Sequence, residues 1–391
     1  MSVKMMVVDD EPDLESLIRQ KFRRQIRENA FQFLFAQNGV EALNKIAEHP
    51  DTLLVLSDIN MPEMDGLTLL TKLNELQNPT LKAVIVSAYG DMENIRTAMN
   101  RGAFDFVTKP IDFNDLELTI NKTLHQINIL KDSLEEHQRL LAFQQDLSIA
   151  ARIQQSILPQ TFPPFPGRPE FDIYGQMLPA KEVGGDFYDF FFIDNDHLAL
   201  VIADVSGKGI PAAIFMAVSR TLLKATAVQL MDPGECLRRI NTLLIPEKRS
   251  SMFVTIFYGI LDTRTGELRY SNGGHNPPCV IRSDGAIEQL GRTGGVMLGI
   301  VSSLTYDVRT IVLNPGDTIF LYTDGVTETM NRERQQFEES RLMNCLQDAG
   351  GCSLEALVQR VSASLIEFAG GAPQWDDVTM LALRFRGNSG R

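Results

Sequence analysis

The first 122 residues alternate short apolar runs with amphipathic stretches. Residues 3–8, 31–36, 53–57, 83–87 and 104–107 read as strands, and helical spacing covers 13–27, 39–48, 66–75, 91–101 and 112–124. Strings such as LLVLS and AVIVS are apolar at every position but the last, as strands buried on both faces are. Five β/α repeats at this spacing predict an α/β doubly wound parallel sheet with helices on both faces.

Residues 112–158 contain no Gly and no Pro. Ile120, Leu124, Ile127, Leu130, Leu134 and Leu141 recur at three-to-four spacing. After a phase slip near His137 the stripe continues as Leu140, Phe143, Leu147, Ala150, Gln154 and Ile157, with Lys131, Glu135 and Arg139 off it. This predicts one long helix. It could pack back on its own domain, but its length between two globular parts favours a coiled coil joining two chains as a homodimer. The slip is a stutter that would locally unwind a supercoil.

A segment with five prolines, PQTFPPFPGRPE, marks a boundary. Beyond it, residues 171–178, 187–193, 197–203, 252–262, 267–272, 278–282, 306–313, 317–322 and 378–385 read as strands. Helices are expected at 209–230, 233–247, 338–348 and 353–369. Strands and helices come in blocks, so this half is expected to be α+β, with helices covering antiparallel sheets. The organisation expected for the 391 residues is a first domain at 1–122, a helical linker at 123–160 and a second domain at 161–391.

Composition narrows the classes. Lys and Arg number 37 and Asp and Glu 50, a net charge of −13 that disfavours binding to nucleic acid phosphates. No window holds 18 consecutive apolar residues, and the stretch after Lys4 is cut short by Asp9, Asp10 and Glu11, so neither a membrane span nor a signal peptide is expected. The cysteines, Cys236, Cys279, Cys345 and Cys352, form no CxxC pair. A reduced, cytoplasmic protein is expected.

Candidate chemistry in the first domain gathers at the C-terminal ends of the parallel strands, where such sheets bind ligands. Asp9 and Asp10 end the first strand, Asp58 the third and Ser87 the fourth, and Lys109 and Pro110 follow the fifth. Each could merely cap or turn. Together, clustered carboxylates call for a cation, and hard oxygen ligands suit Mg²⁺. Asp58 would then be a nucleophile toward a phosphoryl donor, with Lys109 and Ser87 contacting phosphoryl oxygens. The strings VVDDEP, DINMPEMDG, VSA and FVTKP resemble the response-regulator receiver domain over residues 1 to 122. The resemblance implies phosphorylation at Asp58, a Mg²⁺ held by Asp9, Asp10 and Asp58, Ser87 and Phe106 as switch residues, and Lys109 as the cation before a cis proline. It also implies that Asn60 and Tyr89 flank the phosphoryl group, and that a sensor histidine kinase or phosphotransfer protein is the donor.

In the second domain Asp186, Asp204, Asp324, Asp376 and Asp377 stand at strand ends. Singly, such acids often cap or turn. Together, with no HxxEH, CxxC or His cluster, they suggest an oxygen-ligand site for Mg²⁺ or Mn²⁺ acting on a phosphoester. The strings EVGGDFYD, DVSGKGIPAA, GGHNPP, YTDGVTE and DDVTM are similar to the bacterial metal-dependent PP2C-type serine/threonine phosphatases of sporulation and stress response. The resemblance covers about 171–386 and implies two antiparallel sheets between helices. It implies two Mn²⁺ or Mg²⁺ ions, with Asp186, Asp204, Asp324 and Asp376 as catalytic ligands, the Val205 carbonyl as a further ligand and Asp377 able to take a ligand role. The arginine that animal and plant relatives use for the substrate phosphate has no clear equivalent. His275 reads as structural and Lys208 as exposed. AARIQQSILP matches the helix that precedes this domain in the family.

The two resemblances imply a response regulator whose phosphorylation controls a protein phosphatase acting on a partner such as an anti-sigma-factor antagonist. The alternative is an inactive phosphatase-like domain serving as a phosphorylation-regulated adaptor.

Overall fold

The computed structural model describes residues 2–88, 91–245, 252–347 and 351–387. Contacts divide the chain into two compact units, Met1–Phe143 and Gln144–Arg391.

The first unit runs β1 (Val3–Val8), α1 (Pro12–Lys21), α2 (Arg23–Arg27), β2 (Phe31–Ala36), α3 (Gly39–Glu48), β3 (Thr52–Asp58), α4 (Gly66–Glu75), β4 (Lys82–Ala88), α5 (Met92–Asn100) and β5 (Asp105–Lys109), followed by the start of α6 (Phe113–Ile157). The strands form one parallel sheet in the order β2-β1-β3-β4-β5. Successive side chains point to opposite faces. Met5, Val7, Leu54 and Leu56 therefore pack against α1 and the beginning of α6, while Met6, Val8, Val55 and Ile85 pack against α3, α4 and α5. Every strand thus ends its C-terminal residues on one edge.

Two expectations are corrected here. The helical pattern at 13–27 breaks at Phe22, whose ψ of 21° leaves the helical region and separates α1 from α2. Phe22 is fully buried, between Phe31 and Phe33, so packing sets the break. The second concerns the stripe from Ile120 to Leu141. Ile120, Leu124 and Ile127 belong to the core of this unit and are not available to pair two chains. The α6 residues that remain exposed and apolar there are Ile129, Leu134, Leu140, Leu141 and Phe143. The helix itself runs unbroken through His137.

The second unit holds the end of α6, β6 (Phe171–Leu178), β7 (Phe187–Phe192), β8 (His197–Val205), α7 (Ile210–Ala227), α8 (Pro233–Leu244), β9 (Val254–Asp262), β10 (Glu267–Gly273), β11 (Cys279–Ile281), β12 (Ile287–Gln289), β13 (Arg309–Val312), β14 (Thr318–Tyr322), α9 (Asp324–Thr327), α10 (Glu338–Leu346), α11 (Leu354–Ala369) and β15 (Val378–Phe385). Residues 246–247 and 348, which the helical pattern also covered, lie outside the described residues. Two five-stranded antiparallel sheets, β13-β10-β9-β8-β7 and β12-β11-β14-β15-β6, stack face to face. On β8 the alternation is plain. Leu198, Leu200 and Ile202 fill the space between the sheets, and Ala199, Val201, Ala203 and Val205 pack under α7 and α8. Phe320, Tyr322, Met380 and Ala382 face α10 and α11 on the opposite side. The result is the expected helix–sheet–sheet–helix sandwich. Among the described residues α7 is the one helix long and apolar enough to cross a membrane, and 33% of it is buried in this core.

Candidate functional site

In the first unit, β1, β3 and β5 bring Asp9, Asp58 and Lys109 to one sheet edge. Asp9, Asp10 and Asp58 offer ligand atoms within 4.8 Å of one another, the one such group of three among the described residues. Lys109 Nζ lies 2.7 Å from Asp58 Oδ2 and 3.0 Å from Asp9 Oδ2. Burial alone would depress its pKa. The hydrogen bonds and charges of Asp58 and Asp9 outweigh that and hold the ammonium above the usual lysine range. Burial raises the Asp9 carboxyl, and the backbone N–H of Glu11 and the Lys109 ammonium partly offset it. The Ile59 backbone N–H donates to Asp58 Oδ1 at 2.6 Å, which orients the carboxylate. Ser87 is buried, and its hydroxyl has no hydrogen-bond partner among the described residues. Phe106 is 37% exposed. The Lys109–Pro110 bond is cis. Tyr89 lies outside the described residues.

In the second unit four separate segments bring carboxylates within electrostatic reach of one another, though no three of them lie as close together as the receiver triad. Asp186 enters β7, Asp204 nears the end of β8, Asp324 opens α9 after β14, and Asp376 precedes β15. Asp186 is buried and raised well above the usual carboxylate range by that burial and by the charges of Asp204 and Asp377. Burial and the Asp324 charge push Asp204 up to about 7. Burial with the charges of Glu328 and Asp376 pushes Asp324 up to about 6. These carboxyls crowd each other in a poorly solvated place, which is the electrostatic condition a divalent cation relieves. Every side-chain donor is a hard oxygen, which fits Mg²⁺ or Mn²⁺.

The surroundings hold these acids in position. The Thr323 hydroxyl donates to Asp186 Oδ2 at 2.7 Å, and Thr323 Oγ1 accepts from the Thr379 backbone N–H at 3.0 Å. Asp377 differs from its neighbour. Its Oδ1 accepts from the Ala180 N–H at 2.7 Å and its Oδ2 from the Gly185 N–H at 2.6 Å, so both oxygens tie down the segment that carries Asp186. A side chain at Gly184 would collide with that carboxylate, so the close approach requires glycine. Gln154 of α6 closes the segment from the other side. Its amide donates to the Gly184 carbonyl at 2.5 Å, and its Oε1 accepts from the Gly184 N–H at 3.0 Å.

While His275, read as structural, is buried, two features escaped the sequence reading, the role of Gln154 and the partner of the exposed Lys208. Gln154 reads there only as a member of the helical stripe. The Lys208 ammonium lies 3.0 Å from Asp376 Oδ2. His275 is buried, its Nδ1 lies 2.8 Å from Thr255 Oγ1, and burial pushes its pKa down to about 4, so it is neutral. Thr255 pairs across the sheet with Asp204.

Comparison with known proteins places both units in known families. Residues 194–386 match the model of stage II sporulation protein E (SpoIIE), and residues 5–121 match the response regulator receiver domain. Phosphoserine phosphatase RsbU of Bacillus subtilis is 30% identical over 255 residues, which span 64% of this chain and 74% of that protein. Protein IcfG of Synechocystis sp. is 30% identical over 265 residues, 61% of this chain, and the chain spans only 41% of that relative. The SiaA-PP2C domain of Pseudomonas aeruginosa shares the fold, with a TM-score of 0.56 at 23% identity over 63% of this chain and 98% of that domain. The chain thus belongs to the SpoIIE/RsbU family of PP2C-type phosphatases and carries a response-regulator receiver domain at its N-terminal side.

Proposed function

We propose that the chain is a metal-dependent protein serine/threonine phosphatase whose activity is set by phosphorylation of Asp58. The observation that carries this reading is that Asp186, Asp204, Asp324 and Asp376, from four segments, stand near enough to raise one another's carboxyls in a poorly solvated place. These four, with the Val205 carbonyl, are the groups that would hold two Mn²⁺ or Mg²⁺ ions. Bound there, the ions would activate water and neutralise charge on the phosphoryl group. Thr323 keeps Asp186 oriented. Asp377, with both oxygens engaged, serves to anchor the segment bearing Asp186.

In the receiver, Asp9, Asp10 and Asp58 are the groups that would hold Mg²⁺. An Asp58 oxygen attacks phosphorus as the donor's bond to phosphorus breaks, and Lys109 neutralises a phosphoryl oxygen. The unpartnered Ser87 hydroxyl then has an oxygen to donate to, and its movement leaves room for Phe106 to turn inward. Helix α6 begins directly after β5, which bears Phe106, and ends at Gln154 and Ile157. Its exposed positions from Ile129 to Phe143 pair two chains as a homodimer. A change in that pairing reaches Gly184 through Gln154, two residues from Asp186, and raises activity.

The phosphodonor in this reading is a sensor histidine kinase or phosphotransfer protein. The name of the Bacillus relative supports a phosphoserine substrate, and the family resemblance supports a phosphorylated anti-sigma-factor antagonist. A cytoplasmic setting is part of the same reading. The test is phosphate release from a phosphoserine peptide. Turnover is expected with Mn²⁺, with a loss of at least about a hundredfold in Asp324→Ala. Equal turnover by that variant overturns the assignment, and no turnover by the wild type favours an adaptor.

A further inference from the structure

We propose that the cleft beside Asp376, walled by Trp375 and α11, is the specificity pocket for an apolar side chain flanking the phosphorylated residue of the substrate. This rests on the phosphatase reading above and adds what the substrate must look like.

The cleft has a volume of about 220 Å³ and lies between α11, α9 and the segment 371–376. Roughly 150 Å³ suffices to hold a benzene ring, so one large apolar side chain fits. Leu178, Leu365, Ile366, Ala369 and Pro373 supply apolar walls. Trp375 is 63% exposed and Ile366 71% exposed, a costly display of apolar surface that contact with a partner would cover. Tryptophan is one of the three side chains, with tyrosine and arginine, enriched among those that dominate protein interfaces.

The occupant follows from where the cleft ends. Asp376 and Gly325 line it, and both also border the carboxylate site. Gly325 packs so closely on the Asp377 carbonyl that no side chain fits there, so the cleft wall and the floor of the site are one piece of backbone. Trp375 is fixed to the same piece. Lys208, paired with Asp376, donates to the Trp375 carbonyl, and the Gln374 amide donates to the carbonyls of Leu178 at 2.9 Å and Asp376 at 2.7 Å. The backbone is held while the indole faces solvent. A chain whose phosphorylated residue sits at the carboxylates therefore lays its neighbouring residues across the cleft. Glu328, exposed on the lining, disfavours an acidic residue there.

The test uses the full chain and synthetic phosphoserine peptides in which one leucine is stepped through the flanking positions of a Gly/Ser background. Para-nitrophenyl phosphate serves as a reference substrate with no flanking residues. At one position, leucine should raise kcat/KM about tenfold over alanine or aspartate. Trp375→Ala should lower the ratio of peptide to reference kcat/KM by about the same factor. Trp375 is the only tryptophan in the chain, so its fluorescence reports on this cleft directly. Non-hydrolysable phosphonate versions of the preferred peptide should shift the emission to the blue, and versions without leucine should not.

If peptides are turned over with no leucine preference and an unmoved emission, the cleft proposal is wrong and the phosphatase reading stands. If leucine-bearing phosphonates shift the emission but nothing is hydrolysed, the phosphatase reading is wrong, the specificity role falls with it, and the cleft is a pocket for an apolar residue beside a bound phosphoserine. Emission that is already blue in the free protein, or that moves with protein concentration, assigns the cleft to this chain itself or to a second copy and overturns the proposal.

Discussion

Asp204 and Asp324 show how single residues are tuned here. Burial and neighbouring charge hold their carboxyls up at about 7 and about 6, against an ordinary value of 3.8. Without metal, the folded state then binds more protons than the unfolded state between those limits. The stability linked to Asp204 is full below about pH 4, declines as pH rises and is gone above about pH 7, a change on the order of 2–4 kcal/mol. His275 works in the opposite sense. Its pKa is pushed down to about 4, so it costs stability as pH falls below the ordinary histidine range. Comparing wild type with Asp204→Asn isolates the aspartate. In chelator, the variant should gain on the wild type as pH rises from about 5 to about 8, and Mn²⁺ should restore the wild type. A constant difference in denaturant midpoint across that range contradicts this. The acids stood out in the sequence because carboxylates at strand ends beside glycine or a polar residue form recognisable strings. Gln154 and Lys208 did not, because their partners, Gly184 and Asp376, are far along the chain and only tertiary packing brings them together.

At the scale of elements, α6 divides its labour. Its first turns complete the receiver core, its middle exposes apolar positions, and its last turns clamp Gly184. Periodicity revealed the helix but not this division, since a buried leucine and an interface leucine have the same spacing. Short elements were less legible for a related reason. The three-residue β12 and four-residue α9 are too brief to show a period, and packing on β11 and β15 defines them. The clamp makes a specific prediction. Gln154→Ala removes two buried hydrogen bonds and leaves the Gly184 N–H and carbonyl without them, at about 1–3 kcal/mol each, so melting should fall by several degrees while the fold persists. The phosphopeptide rate should nonetheless fall about tenfold, because the segment bearing Asp186 loses its outer support. An unchanged rate would remove α6 from the control of the site. A residue inserted near His137 turns the two halves of α6 by about 100° relative to each other. The insertion should abolish the response to a receiver phosphate mimic while leaving Asp58 able to accept phosphate. A response identical to the wild type makes the helix a passive tether.

At the scale of the molecule, two units of known family stand on one chain, and each carries a group of carboxylates to which the proposed function assigns phosphoryl chemistry. The fold classes of both units were legible because the order of their elements differs: strands alternating one by one with helices in the first, and strands and helices in blocks in the second. The proposed coupling between them would depend on how α6 pairs and on two populations of similar energy, which no sequence pattern encodes. The central claim is that one site governs the other. The most direct measurement is the steady-state rate of phosphate release from a phosphoserine peptide by the full chain in Mn²⁺, with and without beryllofluoride, in wild type, Asp58→Ala and Asp324→Ala. The account predicts a rate that rises severalfold with beryllofluoride in the wild type, does not respond in Asp58→Ala, and is lost in Asp324→Ala under both conditions. A wild-type rate indifferent to beryllofluoride, or one that responds equally in Asp58→Ala, would contradict it.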